Sequence, residues 1–152
     1  MAKTARRAAN FALQRTLTAF APLTAVALGV FMQRDMDIVR RILLAVRQAK
    51  EPVTSVEGVP PQQFAMHAQI LDEAGLVVAA LGGGDNRIAV SAMIYRLTWD
   101  GHEFADSIID DTLWKKAKEH VIKPSASWTF SLLLEYLKAE IRRHIPGLDG
   151  PL

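Results

Sequence analysis

The sequence predicts an α+β protein that is mostly α-helical, and three features of the chain support this class. Apolar residues recur at helical spacing in several segments, which indicates helices with one buried face. Two apolar runs flank the stretch GGGDNR, an order typical of a β-hairpin. The second run leads through Leu-Thr-Trp-Asp-Gly into another helical segment. The resulting order of helix, helix, hairpin, helix, helix predicts a winged helix-turn-helix with a β-hairpin wing and C-terminal helices.

The composition allows one domain with a hydrophobic core, because the chain has 152 residues and half of them are apolar. Cysteine is absent, which excludes disulfides, thiolate metal sites and thiol nucleophiles. Residues 1–31 hold 4 of the 18 basic residues and no acidic one. The rest of the chain therefore has 14 basic and 16 acidic residues, a net charge of −2. Such a body lacks the strong positive field of an efficient nonspecific nucleic-acid binder.

Residues 1–31 are basic, small and apolar, and the composition changes to mixed charge at Met32. We interpret them as an extension, from a misassigned start codon, ahead of a domain that begins at Met32. One alternative is a secretory signal, which the apolar run 17–31 and its small residues imitate. Another is a basic amphipathic helix. Pro22 interrupts the run, which is shorter than the roughly 20 residues of a membrane span, so we expect a cytoplasmic protein without a membrane partner.

The first helix is predicted over Arg34–Lys50, with Asp35 as its N-cap. Its apolar residues at helical spacing are Ile38, Val39, Ile42, Leu43 and Val46, and the expected solvated residues are Arg40, Arg41 and Arg47. After a loop rich in turn-forming residues, a second helix is predicted over Gln62–Ala74, and Gly75 ends it. The expected buried side of this helix holds Phe64, His67, Ala68, Leu71 and Ala74, and the polar side holds Gln62, Ala65, Gln69, Asp72 and Glu73.

The hairpin consists of the runs LVVAAL and IAVSAMIYRLT, with its tip at Gly82–Arg87. The glycines permit the positive φ angles of a tight turn. A phosphate-binding loop is disfavoured, because the run lacks the Lys-Ser/Thr ending and lies between two strands.

The junction after the hairpin is predicted to be a structural corner. Thr98 leaves the strand and caps the amide of Asp100 or Gly101, so that Trp99 begins the next helix. Gly101 lets this helix start lie close to the sheet. The corner residues are Thr98, Trp99, Gly101, His102 and Phe104, and the corner needs no catalytic role.

Two further helical segments follow. The first, DDTLWKKAKEHV, either continues the helix that begins at Trp99 or starts a new one, and Lys123-Pro124 ends it. Its apolar contacts are Leu113, Trp114, Ala117 and Val121. The last helix is predicted over Ser127–Ile145, with Leu133, Leu137 and Ile141 on one stripe. We therefore divide the chain into an extension over 1–31, a winged-helix domain over 32–124, and a C-terminal helix over 125–152 that is a candidate dimerisation element.

Three stretches resemble an uncharacterised family of small bacterial and prophage proteins, classified as a domain of unknown function. They are MQRDMDIVRRILL, HAQILDEAGLV and YRLTWDGHEFADSIIDDTLWKKAKE, and the resemblance covers about Met32 to Val121. The matching positions are Arg34, Asp35, Met36 and Asp37, then His67, Leu71, Ala74, Gly75 and Leu76, then Leu97, Thr98, Trp99, Gly101, His102, Glu103, Phe104, Asp110, Asp111, Thr112 and Trp114. Met66 departs from the pattern, which has an aromatic residue there. The resemblance implies a winged helix-turn-helix and no established activity.

If the fold is a winged helix, the second helix is the one presented to the major groove of double-stranded DNA. Gln62, Gln63 and Gln69 would then pair with base edges, and Arg87 on the wing would reach a phosphate or the minor groove. This predicts a small regulator of bacterial or mobile-element genes. The alternative is a winged-helix module that binds another protein, because the helix carries no Lys or Arg and holds Asp72 and Glu73. Burial of this helix against other elements would remove the reading surface.

No residues predict catalysis, a cofactor or a metal. His67 lies in the buried stripe, so we expect a core histidine bonded to a nearby carbonyl. His102, Asp106 and Asp110 have the i, i+4, i+8 spacing of a helix face, but a solvated face is the favoured interpretation. The three tryptophans are expected to be core or interface anchors. No Ser-His-Asp arrangement has supporting context, and the protein is not predicted to be an enzyme.

Overall fold

The computed structural model describes residues 33–83, 88–124 and 127–147. Within them the chain forms five α-helices, a π-helical segment and an antiparallel hairpin, which confirms a mostly helical α+β class. The helices are α1 (Met36–Gln48), α2 (Pro61–Glu73), α3 (Trp99–Ser107), α4 (Asp111–Ala117) and α5 (Phe130–His144), the π-helical segment is Lys118–Ile122, and the strands are β1 (Val77–Gly82) and β2 (Ser91–Leu97). The predicted extension lies outside the described residues. No described helix is long and apolar enough to cross a membrane.

Helix α1 begins as the sequence predicts. The carboxylate of Asp35 accepts hydrogen bonds from the amides of Asp37 at 2.8 Å and Ile38 at 3.3 Å, so it satisfies two of the amides that have no partner within the helix. The side of α1 that faces the core holds Met36, Val39, Ile42, Leu43 and Val46. Helix α1 thus contributes five buried side chains to the hydrophobic core.

The prediction that Arg40 lies on a solvated face is wrong. Its side chain is only 17% exposed. Its Nε donates to the carbonyl of Ile108 at 2.8 Å, and its Nη2 donates to the carbonyl of Ile109 at 2.9 Å and to Asp111 at 2.7 Å. These carbonyls lie at the end of α3, where the helix leaves its last acceptors without partners. Arg40 therefore joins α1 to the connection between α3 and α4.

Helix α2 ends in the motif that Gly75 predicts. Gly75 has φ +72°, its amide donates to the carbonyl of Asp72, and the amide of Leu76 donates to the carbonyl of Leu71, both at 2.9 Å. This is the hydrogen-bond pattern of a Schellman motif, which the left-handed conformation of glycine permits. The chain consequently reverses direction and enters β1 alongside the helix that it has just left.

Strands β1 and β2 form the hairpin, and a residue from the α1–α2 connection adds to it. The register runs from Val77 opposite Leu97 to Gly82 opposite Ser91, with a shift between Val78 and Ala79. Tyr95 is the extra residue on β2, which makes the shift a β-bulge. On the other side of β2, Val53 exchanges two backbone hydrogen bonds with Ile94, at 2.8 and 2.9 Å. The order across this sheet is therefore Val53, β2, β1.

The hairpin tip is longer than predicted. Strand β2 starts at Ser91, although the apolar run that predicted it begins at Ile88. The amide of Val90 closes the ladder on the carbonyl of Gly82 at 3.0 Å. The amide of Ala89 instead donates to the side chain of Gln69 on α2 at 2.8 Å. At Ala89 the chain is therefore bonded to α2 and not to β1.

The corner between β2 and α3 confirms the predicted role of Thr98. Its hydroxyl accepts the amide of Gly101 at 3.0 Å and donates to the carbonyl of Gly75 at 2.6 Å. A Cβ on Gly101 would lie 1.9 Å from the carbonyl oxygen of Leu76, so this position has room only for hydrogen. The start of α3 thus lies directly on the chain between α2 and β1, and Phe104 points into the core.

Helix α5 packs its apolar stripe against the rest of the chain. Leu133 and Leu137 are fully buried, and Phe130 meets Phe104 edge-on with ring centroids 4.7 Å apart. Thr129 caps the helix by accepting the amide of Leu132 at 3.3 Å. Leu133 and Leu137 are thus used within the chain, and the dimerisation role predicted for the C-terminal helix stays a prediction.

Candidate interaction surface on the hairpin

The four residues predicted to contact DNA have different surroundings. Gln62 is exposed at the start of α2, and Gln63 is half-buried. The side chain of Gln69 accepts the amide of Ala89 at 2.8 Å and donates to Glu73 at 3.1 Å, so its amide group holds the hairpin tip to the helix. Arg87 lies outside the described residues. The described structure therefore leaves only Gln62 fully accessible among the three glutamines.

The expected polar side of α2 lies largely under the hairpin, which corrects the prediction from helical periodicity. Ala65 was placed on that side, yet it is fully buried. Asp72 was placed there as well, and its carboxylate accepts the amide of Ala79 on β1 at 3.0 Å. The buried residues of α2 are Phe64, Ala65, Met66, His67, Ala68 and Leu71. A helix with five consecutive buried residues presents a narrow surface to any groove.

His67 is a core histidine, as predicted. Its Nδ1 lies 2.7 Å from the carbonyl of Gln63, and its Nε2 lies 2.9 Å from the amide nitrogen of Asp35. A carbonyl only accepts and an amide N–H only donates, so Nδ1 carries the proton and the ring is neutral. Burial lowers the pKa of His67, and it outweighs the opposing effects of the Gln63 carbonyl and the Asp35 charge. The ring therefore links α2 to the start of α1.

His102, Asp106 and Asp110 do not share one helix face. Helix α3 ends at Ser107, and Asp110 serves as the N-cap of α4 by accepting the amide of Leu113 at 2.7 Å. Asp106 pairs with Arg47 at 2.7 Å. Among the described residues, no group of three His, Asp or Glu side chains is arranged to hold a metal ion.

A polar groove of about 610 Å³ lies between α1 and α4. Asp37 accepts the indole N–H of Trp114 at 2.8 Å and the ammonium of Lys118 at 2.9 Å. Burial acts to raise the pKa of Asp37, but these two hydrogen bonds and the nearby positive charges lower it overall. Arg40 stacks over the Trp114 ring at 5.7 Å. The charges in this groove mainly bind one another and fix α4 to α1.

Apolar side chains are unusually exposed on the hairpin. Nine large hydrophobic side chains of the described residues are exposed, and five of them lie between residues 78 and 95. We call these five the hairpin surface: Val78, Leu81, Val90, Met93 and Tyr95. Val90 is 62% exposed and Tyr95 is 52% exposed. Because side chains alternate along β1, Val78 and Leu81 lie on opposite faces of the hairpin, so the exposed apolar residues are spread over both faces. Exposed apolar surface of this extent is a mark of an interaction site.

A groove of about 480 Å³ runs between the hairpin surface and the start of α2. We call it the hairpin groove, and its lining includes Pro61, Phe64, Leu81, Val90 and Tyr95. Helix α2 begins there without a side-chain cap and without an acidic residue in its first turn. The positive end of the helix dipole is therefore uncompensated by charged side chains of the helix itself.

Trp99 is the most exposed large hydrophobic side chain of the described residues, at 79%. It is the first residue of α3, and its indole N–H donates to Glu103 one turn later at 3.1 Å. Trp114 is buried and Trp128 is half-buried. Of the two roles predicted for the tryptophans, Trp114 has the core role, and Trp99 lies outside the core, so its interface role stays a prediction.

One pattern in the sequence predicts the exposed hairpin surface, and helical periodicity does not reveal it. A hairpin with one solvated face alternates apolar and polar residues. Strand β1 reads VVAALG and has no polar side chain at all. Its two faces are therefore both apolar, although the described helices cover only one of them well.

Three comparisons with known proteins bear on this chain. The family model described as "Hypothetical protein (DUF2513)" matches residues 33–127. An "Uncharacterized protein" of Haemophilus influenzae (strain ATCC 51907 / DSM 11121 / KW20 / Rd) is 33% identical over 92 residues, which cover 57% of this chain and 76% of that protein. No solved structure matches the chain. The first comparison confirms the resemblance to an uncharacterised family.

Proposed function

The chain belongs to the DUF2513 family, and from the geometry of its hairpin we propose that it is a winged-helix module that binds protein. The order of elements supports the winged-helix part of this proposal. Helix α1, the Val53 bridge, α2 and the hairpin follow one another along the chain, and the sheet order is Val53, β2, β1. Winged-helix domains have this order of elements with one further helix before the recognition helix. In this chain an irregular connection over 54–60 stands in the place of that helix.

The charge and burial of α2 favour protein over DNA as the partner. Phosphate contacts from Lys and Arg supply most of the affinity of DNA-binding proteins. Helix α2 has neither residue, and it ends with Asp72 and Glu73. The side chain of Gln69 is already hydrogen-bonded within the chain. Gln62 is therefore the accessible side chain of this helix that could read a base edge. DNA binding stays a prediction, and the missing positive charge is the main argument against it.

The exposed hairpin surface is the observation that carries the proposal. Interface centres are depleted in charge and enriched in aromatic residues and methionine. Within the described residues, this surface combines Tyr95 and Met93 with three aliphatic side chains, and Trp99 lies two residues after β2. A surface of this composition gains free energy when another apolar surface covers it.

Site-specific photocrosslinking tests the proposal. A photoreactive amino acid replaces Tyr95 in the full chain, which is expressed in the cells that produce it natively. The matched control carries the same group at Glu135, an exposed position on α5. We expect a light-dependent adduct with one protein, identified by mass spectrometry, from position 95 alone. Leu81→Glu in the same chain should abolish the adduct, because it places a charge in the apolar lining.

A parallel measurement of binding to duplex DNA separates the two candidate functions. The proposal is overturned if position 95 gives no protein adduct, and DNA binding takes its place if the chain also binds duplex DNA with an affinity that falls steeply as salt rises. In that case Gln62→Ala should weaken DNA binding. If the chain does not bind duplex DNA at any salt concentration and position 95 gives a protein adduct, the results support the protein-binding role.

A further inference from the structure

We propose that a second copy of this chain occupies the hairpin groove, with Trp99 of each protomer inserted into the groove of the other. This inference rests on the proposed function, because it names the partner of the same surface. The contact is reciprocal, so the complex is a closed two-fold dimer in which the same surface is used twice.

Trp99 has the properties of an anchor that enters a pocket. It is 79% exposed, and its indole N–H already donates to Glu103 at 3.1 Å. Burial of the ring would therefore leave no indole N–H without a partner. The same hydrogen bond restricts the rotation of the ring, which reduces the entropy lost on binding. Tryptophan is also among the residues most enriched at the energetic centres of interfaces.

The hairpin groove has the size and the lining to receive an indole ring. Its volume of about 480 Å³ lies within the range of small-molecule pockets. Phe64 and Pro61 line it on the helix side, and Leu81, Val90 and Tyr95 line it on the hairpin side. Thr54, Ser91 and Tyr95 are the hydroxyl-bearing side chains of the lining. An apolar occupant with a satisfied polar atom matches this lining.

The positions of Trp99 and the groove along the hairpin suit two-fold pairing. Trp99 follows the end of β2 at the base of the hairpin, whereas the groove extends from Tyr95, four residues before it, to Val90, Ser91 and Gly82 at the far end. Strand β2 has 7 residues, so the far end of the groove is about 20 Å from Trp99 along the strand. When two hairpins lie antiparallel, the base of each meets the far end of the other. Both Trp99 contacts then form at once.

The charges beside the two sites are complementary. Asp100 is exposed next to Trp99. The start of α2, at the edge of the groove, has an uncapped positive helix end. Insertion of Trp99 brings Asp100 of one protomer toward that helix end of the other. Arg96 is exposed on β2 and forms no ion pair within the described residues, so it is available to an acidic side chain of the second copy.

The exposed area indicates a weak dimer. A fully exposed aromatic side chain offers about 200 Å², so Tyr95 and Trp99 together leave on the order of 250 Å² uncovered. The aliphatic members of the hairpin surface add to this area. The sum falls below the roughly 800 Å² per partner of standard interfaces. Dimerisation should therefore depend on protein concentration.

Sedimentation velocity of the full chain over a wide concentration range tests the inference. We expect the weight-average mass to rise from 16.8 kDa toward twice that value as concentration increases. Trp99→Ala and Leu81→Glu should each weaken dimerisation by about tenfold or more. Ile109→Ala and Leu132→Glu are the matched controls, since both change exposed apolar residues away from the hairpin. Val90→Glu repeats the groove test at a more exposed position, where folding is less affected.

Mixing the two variants gives the most specific result. A Trp99→Ala chain keeps its groove, and a Leu81→Glu chain keeps its tryptophan, so the mixture can form one of the two contacts. We expect the mixture to sediment faster than either variant alone at the same total concentration. Circular dichroism and thermal unfolding confirm that each variant is folded.

The outcomes separate this inference from the proposed function. A chain that stays monomeric at all concentrations, or a dimer that Trp99→Ala and Leu81→Glu leave intact, overturns the inference. If such a chain still gives an adduct with a different protein from position 95, the proposed function stands. If position 95 gives no protein adduct of any kind, both fail. An adduct with the mass of two chains supports both.

Discussion

The hydroxyl of Thr98 donates to the carbonyl of Gly75 at 2.6 Å, across 23 residues of chain. This bond joins the end of β2 to the turn that precedes β1. The same oxygen accepts the amide of Gly101, so one side chain fixes the base of the hairpin and the start of α3. The bond to Gly75 is exposed to water and the bond to Gly101 is part-buried, so the two together contribute about 1 kcal/mol.

Replacing Thr98 should therefore destabilise the fold. We expect Thr98→Val to lower the free energy of unfolding by about 0.5–2 kcal/mol, mainly because it removes a helix cap, while water replaces the lost donor at the exposed Gly75 carbonyl. Thr98→Ser keeps the hydroxyl and should lose much less. Urea denaturation measures both, and Thr112→Val, at an exposed position on α4, is the control. Equal losses for Val and Ser at position 98 would contradict the role of the hydroxyl.

Gly101→Ala should be more harmful than Gly75→Ala. A Cβ at Gly101 would lie 1.9 Å from the carbonyl oxygen of Leu76, so α3 must move away from the turn. A Cβ at Gly75 meets nothing within 4 Å, and its only penalty is the positive φ of +72°, about 1 kcal/mol. Thermal unfolding of both variants compares the two effects. A smaller loss for Gly101→Ala would show that the corner adjusts easily.

Stability should fall as the pH drops below 6.5, because His67 is buried in its neutral form. Its folded pKa lies below the ordinary value of 6.5, so the unfolded chain binds a proton first. The stabilisation is complete above pH 6.5 and is lost as the pH falls toward the folded pKa, by at most about 1.4 kcal/mol per pH unit. Urea unfolding between about pH 7.5 and pH 5 measures this slope.

His67→Gln is the variant that assigns the slope to His67. It should reduce stability at pH 7.5 and flatten the dependence of stability on pH. His102→Gln, at an exposed position, should leave the slope unchanged. The low pKa of Asp37 acts in a separate window, below its ordinary value of 3.8, so it does not contribute above pH 5. An unchanged slope in His67→Gln would assign the effect to other groups.

Arg40 should matter more than its ion pair. Asp111 is 92% exposed, so Asp111→Asn should lower the free energy of unfolding by less than about 1 kcal/mol. Arg40→Ala leaves the part-buried carbonyl of Ile108 without its donor and should lower the free energy of unfolding by about 1–3 kcal/mol. Arg40→Lys should recover only part of the lost free energy of unfolding, since an ammonium lacks the planar donors of arginine. Equal effects of Asp111→Asn and Arg40→Ala in urea denaturation would contradict this ranking.

Local signals in the sequence predicted much of the fold. Asp35, the cap that Thr98 forms with Gly101, and the turn at Gly75 act through neighbours within five residues, so these roles follow from capping chemistry alone. The bond from Thr98 to Gly75 spans 23 residues and does not follow from it. The apolar stripe of α1 and the central leucines of α5 likewise follow from helical periodicity. These elements required no knowledge of what packs against them.

Contacts between distant parts of the chain were not predictable in the same way. Val53 pairs with Ile94, and the hairpin tip bonds to Gln69, although nothing in the local sequence announces either contact. Periodicity placed Ala65 and Asp72 on an outer side because it cannot show where the hairpin will lie. The exposure of Trp99 was not predictable either, because an aromatic residue next to buried residues in the sequence is more often buried.

The extra residue at Tyr95 also sets the direction of the hairpin. A bulged strand bends and twists more strongly to the right than a regular one. Because of the shift, Ile94 and Leu97 both face the core although they are three residues apart. A β2 shortened by one residue at this point could run straighter, and its tip would then separate from Gln69. The curvature of the ribbon, and with it the depth of the groove beside α2, depends on one inserted amino acid.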